Sequence, residues 1–377
     1  MNFYTGNSNE AMFQKYLIVI TSLTFLSLLL VITVNITVDP YGVFKTKLLP
    51  IEVEPVQAYR AADQLMHNPE DFNGVMLGSS AVGFTPPTLL NTKIPGAKFF
   101  NFWSSSATQY ENLQHLKFAI KTLPKIKYVY LQVDPILNMT AYKHEKNHQR
   151  RLHPLVSGER FVDFFWDFAT VLPWERLNKK IRVNLGEAYT GPVLHYKEGA
   201  YVSADYQEEQ ISHNPEKYYR EESRFRIEVY EKRTVRNEVG IKNIQAIKEI
   251  KKLCDDQGIK LYVLVRPEHP KSLDRVVTNE YIEFIRQLSS VTEFWSFGGY
   301  TKYNLDNYYW YEPGHFRPLL SDKLAQVIFD YQVKEDSENF GVQVKKVNLE
   351  SYIDHLEYSF QKRDSIRFEP VDVMGPD

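Results

Sequence analysis

A chain of 377 residues with 43% apolar side chains can bury one large core or two modest ones, which excludes a largely disordered polymer. Its formal charge of −2 supplies no global basic field, so nucleic acid is excluded as a bulk electrostatic partner. The single cysteine, Cys254, excludes an internal disulfide and any CxxC or Cys/His zinc grouping, and it leaves the redox compartment open.

After a tail of residues 1–15, Tyr16 to Val38 (YLIVITSLTFLSLLLVITVNITV) carries no charge. About 20 apolar residues at roughly 1.5 Å each cross a hydrocarbon core of about 30 Å, so residues 16–38 are expected to form a transmembrane anchor. The segment lacks the small-residue A-x-A end of a cleaved signal peptide, running instead through Asn35 and Thr37 into Asp39 and Pro40, and is read as uncleaved. Lys15 on one side and Lys45 and Lys47 on the other nearly balance the positive-inside count. Bulk decides the expectation instead: the short tail stays on the cytoplasmic side of the inner membrane, with the large domain periplasmic or extracellular.

Beyond the anchor, two periodicities alternate. Gly74 to Leu77, Ala97 to Phe102, Tyr128 to Val133 and Leu261 to Val265 read as short apolar strands. Ala107 to Leu123, Ile241 to Gln257, Asn279 to Leu288 and Asp322 to Tyr331 read as helices, and Gly258 ends the second in the usual C′ role. Strand and helix in alternation predict an α/β domain, residues 39–332, with a parallel sheet covered by helices on both faces. Residues 141–235 break the rhythm, being rich in charge, tyrosine and histidine, and are expected to be an insertion or cap. Residues 333–377 are expected to hold one amphipathic helix, Leu349 to Phe360, and a loose end.

Two stretches carry candidate chemistry. VMLGSSAVGF (Val75 to Phe84) places Gly78, Ser79 and Ser80 at the carboxyl end of the first strand, where ligands and catalytic groups collect in a parallel sheet. A tight turn is the bland explanation. A serine nucleophile is the sharper one, and it needs a base brought to the same edge. YNLDNYYWYEPGHFRP (Tyr303 to Pro318) offers one: Glu312 and His315 are separated by Pro313 and Gly314, so one loop can present an imidazole and the carboxylate that fixes its tautomer.

Three other features carry less. His144 to His148 reads HEKNH, a literal H-E-x-x-H with His153 beyond it, but its lysine- and arginine-rich setting lacks the buried face of a zinc-protease helix, and no metal site is expected. GSSAVG lacks the lysine of a phosphate-binding loop. The aromatic residues from Tyr303 to Phe316 fit core packing, or alternatively a rim on which sugars stack.

A serine in a G-[D/S]-S turn after the first strand, with an acid-x-x-His near the end, resembles the SGNH/GDSL hydrolase superfamily. The closer likeness is to its membrane-anchored branch, which includes the D-alanyl transfer protein of teichoic acids and alginate acetyltransferase-type proteins. VDPYG (Val38 to Gly42) after the anchor looks like this group as well. The likeness covers roughly residues 70–135 and 240–330, and LGSS standing where GDS does elsewhere implies Ser80 as the nucleophile. It implies an SGNH-like fold, His315 as base and Glu312 as the orienting acid, where the family usually has aspartate; Asp306 is the alternative acid. NFWSSSAT (Asn101 to Thr108) looks like the second family block, with Ser106 at the glycine position, which implies oxyanion or substrate-binding roles for Asn101 and Ser106 beside the Ser80 N–H. The third block appears as LQVDP (Leu131 to Pro135), without the family's GxN.

The resemblance implies an acyl esterase or O-acyltransferase acting on a cell-surface polysaccharide and needing no cofactor or metal, with a multi-pass acyltransferase in the same membrane as the candidate partner that feeds it. The alternative is a catalytically inactive scaffold or glycan-binding subunit of an envelope polysaccharide complex that keeps the fold.

Overall fold

Successive residues of the apolar strands face opposite ways, and in this chain both ways are buried. In the computed structural model, which describes residues 6–143, 147–226, 235–330 and 340–362, Val75 and Leu77, Val129 and Leu131, and Val263 and Val265 join one core. Met76, Tyr130 and Leu264, between them in sequence, join another. That double burial is why the strands read as unbroken apolar runs.

The strands are β1 (Gly74–Leu77), β2 (Phe99–Asn101), β3 (Tyr128–Val133), β4 (Lys260–Val265), β5 (Phe294–Ser296) and β6 (Val342–Val344), in sheet order β6-β5-β4-β3-β1-β2. β1 to β5 are parallel, whereas β6 runs antiparallel to β5, with Val344 opposite Phe294. The sheet is thus mixed, which corrects the expectation of an all-parallel one. The expected helix of the tail is present as Leu349–Gln361, and it and β6 belong to the core, where Tyr352 hydrogen-bonds Ser296 of β5 at 2.5 Å; the expected loose end, from residue 363, lies outside the described residues. Helices Gln57–His67, Gln109–Thr122, Asn237–Asp256, Thr278–Val291 and Leu349–Gln361 cover one face; Pro87–Lys93 and Pro318–Phe329 cover the other.

The chain divides into two compact units, Gln57–Ser157 with Thr190–Asp377, which holds the sheet, and Met1–Val56 with Gly158–Tyr189. The expected insertion at 141–235 is therefore split between them. In the sheet unit it supplies a small hairpin (Val193–His195 and Tyr201–Ser203) and helices Asp205–His213 and Pro215–Glu221. His144 and Glu145 of HEKNH lie outside the described residues. His153 is buried, stacked on Tyr59 at 4.8 Å, and accepts the Leu155 N–H at its Nδ1.

The other unit is built on helix Gly6–Val38, whose stretch Glu10–Val38 is 29 residues long with a mean hydropathy of 2.7 over its most apolar window, long and apolar enough to cross a membrane. VDPYG follows it as a stapled turn. Asp39 adopts φ +49°, and its carboxylate accepts the N–H groups of Val43 at 2.9 Å and Lys45 at 2.8 Å, while its carbonyl accepts the buried Lys180 ammonium at 2.7 Å. Gly42 has φ +69°, and a side chain there would also meet Pro55.

Two buried histidines, His115 and His269, make the sheet unit sensitive to acid. Burial lowers the His115 imidazole to about 3 from an ordinary 6.5, in a site where it stacks on Phe102 at 4.2 Å. Between those values the unfolded chain binds a proton that the folded one refuses, so stability falls as pH falls through that window. His115→Phe is expected to flatten the fall. Urea unfolding at pH 7, 5 and 4 checks this, and a decline parallel to that of the wild type counts against it.

Candidate active site

Glycines at both ends make the serine turn possible. A Cβ on Gly78 would lie 2.9 Å from Val82 Cγ1 and 3.0 Å from Gln132 Cβ, and one on Gly83 would lie 2.7 Å from the Trp103 ring. Between them Ser79 is the N-cap and Ser80 the first residue of a helical turn, Ser80–Gly83. Asn101, fully buried at the end of β2, donates its amide to the carbonyls of Val82 at 2.7 Å and Thr85 at 3.0 Å. The structure therefore places Asn101 behind the turn that carries Ser80, with its amide on the backbone of that turn.

The candidate base, His315, arrives on a hairpin. Trp310–Glu312 and His315–Phe316 pair antiparallel with Glu312 opposite His315, so Pro313 and Gly314 form a two-residue connection. That is the physical meaning of the E-P-G-H spacing: the acid and the imidazole are cross-strand neighbours. Glu312 Oε1 accepts from His315 Nδ1, and Oε2 accepts the Gly314 N–H at 2.8 Å. His315 Nε2 lies 2.7 Å from Ser80 Oγ. With the Nδ1 proton committed to the carboxylate, Nε2 is left as acceptor for the serine hydroxyl. Phe84 packs its ring on the imidazole at 5.1 Å.

Ser80, His315 and Glu312 are thus brought into one hydrogen-bonded chain. Asp306 is not part of it: its carboxylate accepts the Tyr308 N–H at 2.9 Å and caps the turn Asn307–Tyr309. Burial alone would raise the Glu312 carboxyl, but the His315 ring, Arg224 and the Gly314 N–H outweigh it and hold the group at about 2.

The chain opens on a cavity of about 200 Å³ whose walls include Ser79, Ser80, Ser106, Asp134, Arg266 and His315. Ser106, at the position where the resemblance has glycine, adopts φ +51°, the left-handed region that glycine enters without cost. Asp134, from the LQVDP stretch, caps the following helix through Leu137 N–H at 2.8 Å and lies 3.5 Å from Arg266. Arg266 is buried just past β4, pairs with Glu268 at 2.9 Å and donates to the Gly314 carbonyl at 3.2 Å. It therefore props the turn between Glu312 and His315.

Arg224, from the expected insertion, reaches Glu312 at 3.3 Å. Tyr218, from the same segment, donates to the Tyr311 carbonyl at 2.7 Å. The sequence reading missed Arg224, Arg266 and Glu268. A charged pair directly after the apolar run LYVLV was the available signal for Arg266 and Glu268; nothing periodic marks Arg224. Trp310, Tyr311 and Phe316 are buried, so that part of the aromatic stretch is core packing, which corrects the stacking-rim alternative. Among the described residues, no group of three or more His, Cys, Asp or Glu side chains is placed to hold a metal ion.

No protein-family model matches the chain, and no curated protein or solved structure matches it either.

Proposed function

We propose that the chain is a membrane-anchored acyl esterase or O-acyltransferase that acts on a cell-surface polysaccharide through Ser80, with its sheet domain periplasmic or extracellular. The observation that carries this reading is the unbroken chain from Ser80 Oγ through His315 to Glu312 at the carboxyl end of β1, beside the point where the strand order reverses. The SGNH/GDSL-like motifs around Ser80 and His315 support it from the sequence side.

Ser80 Oγ attacks the acyl carbonyl carbon while its proton passes to His315 Nε2, and Glu312 stabilises the imidazolium that forms. The tetrahedral adduct collapses, the ester oxygen leaves with the proton from Nε2, and the acyl group stays on Ser80. Water or a sugar hydroxyl then gives its proton to His315 Nε2 as it attacks the acyl carbon, and the bond from that carbon to Ser80 Oγ breaks as Nε2 returns the proton to Oγ. The first N–H groups of a helical turn have no acceptor inside it, which supplies donors next to Oγ for the developing oxyanion. A cavity of about 200 Å³ is below the range of drug-sized ligand sites and suits a short acyl group, with the glycan at its mouth. In the transfer reaction, a multi-pass acyltransferase in the same membrane is the partner that would supply the acyl group.

The test is the alkali-labile acyl content of the surface polysaccharide in cells carrying the wild-type chain or Ser80→Ala. A changed content in the variant supports the reading. Equal content, with both chains expressed to the same level, replaces it with the scaffold reading.

A further inference from the structure

Helix Phe161–Thr170 (FVDFFWDFAT) has more apolar surface than its own unit covers. Phe164 and Phe168 are buried, with Phe168 against Tyr41 at 5.0 Å, and the helix packs on the N-terminal helix. Val162 and Trp166, one turn apart, are each more than half exposed, and so are Leu172 and Trp174 just beyond. Phe161 is 46% exposed. Asp163 and Asp167 give the helix a separate polar edge.

The depth of this patch is fixed by one residue. Asn35 of the N-terminal helix, fully buried, donates its amide to the carbonyls of Ala169, at 2.8 Å, and Val171, pinning the end of helix Phe161–Thr170 beside it. Lys15 is the last charge before the apolar run. Counting about 20 residues from there, at roughly 1.5 Å each, crosses a hydrocarbon core of about 30 Å and brings the chain to the neighbourhood of Asn35. The exposed apolar face is therefore held at the boundary where a bilayer meets water, the level at which tryptophan collects and amphipathic helices lie flat.

We propose that Phe161, Val162, Trp166, Leu172 and Trp174 form a membrane-interfacial foot, seated in the lipid leaflet from which the N-terminal helix emerges. The occupant of the face is lipid, because the face is continuous with the segment that crosses the bilayer. Such a foot fixes how the anchor unit sits on the membrane, which a single helix, free to rotate and tilt, does not. The inference rests on the anchor reading of residues 16–38.

The full-length protein, reconstituted in phosphatidylcholine and phosphatidylglycerol vesicles with brominated acyl chains, tests it through tryptophan fluorescence. Alkaline carbonate washing comes first. A chain that washes off overturns the anchor reading and the foot with it. In retained protein, the bromines are expected to quench the emission, and Trp166→Phe with Trp174→Phe is expected to lose most of that quenching, since the other three tryptophans belong to the other unit, Trp103 and Trp310 buried and Trp295 partly buried on its sheet. Retained protein in which the bromines do not quench Trp166 and Trp174 overturns the foot while leaving the anchor intact. That holds whether aqueous acrylamide reaches the two rings or they are shielded from both quenchers, the latter meaning that a protein covers the face.

Discussion

Ser80→Ala and His315→Ala are each expected to lower kcat/KM for a model ester such as p-nitrophenyl acetate by about a thousandfold or more, with the melting temperature nearly unchanged. Each removes one end of the 2.7 Å contact between Oγ and Nε2: without the hydroxyl there is no nucleophile, and without the ring its proton has no acceptor. Ser79→Ala is expected to cost less than about tenfold, because Ser79 lines the cavity as the N-cap and makes no capping hydrogen bond there. Glu312→Gln keeps the shape of the side chain and loses the charge that holds the imidazolium; its cost is expected to be smaller than that of either partner by about one to two orders of magnitude. Asp306→Ala leaves the hydrogen-bonded chain intact. A greater loss of activity from Asp306→Ala than from Glu312→Ala would move the acid to Asp306 and break the account of the hairpin.

The second large effect concerns the turn itself. Gly83→Ala is expected to destabilise the sheet unit by about 2 kcal/mol and to lower activity with it, because the new methyl group meets the Trp103 ring. That ring is not free to yield, since its Nε1 donates to the Ala200 carbonyl at 3.0 Å. Gly240→Ala, inside helix Asn237–Asp256, should move the other way by about 0.5–1 kcal/mol. Its Cβ would find only Phe284, at 3.9 Å, and the helix would lose a conformationally loose residue. Thermal unfolding of both variants checks the pair. A neutral or stabilising Gly83→Ala would mean that the turn has room the packing denies.

How much was legible beforehand follows from how local each feature is. β1 and β3 occupy the residues their apolar runs indicate, because burial on both faces writes a continuous signal into four to six successive positions. β5 and β6 are three residues each, and β6 is specified only by pairing with β5 across some fifty positions, so no window of local pattern contains it. The grouping of residues 158–189 with the N-terminal helix was hidden for the same reason. It depends on Asn35 meeting Ala169, 134 positions away.

The site divides along the same line. G-S-S after a strand and E-P-G-H on a hairpin are short and self-contained, so the sequence presents them whole. Asn101 lies close to the turn, as its place in the sequence suggests, but its amide points at the backbone of Val82 and Thr85. Which way a side chain faces is settled by packing that the sequence does not display. Ser106 illustrates the converse: a positive φ at a serine cannot be read from composition, although the resemblance had already set that position apart as one where glycine would stand.

Everything proposed about the reaction requires that Ser80 be a nucleophile activated by His315. Exposure of the purified protein to a fluorophosphonate, followed by intact mass measurement and peptide mapping, tests this most directly. The account predicts one adduct per chain, on the peptide containing Ser80, absent in Ser80→Ala and strongly slowed in His315→Ala. An unlabelled wild-type protein, or an adduct that persists in Ser80→Ala, would contradict it.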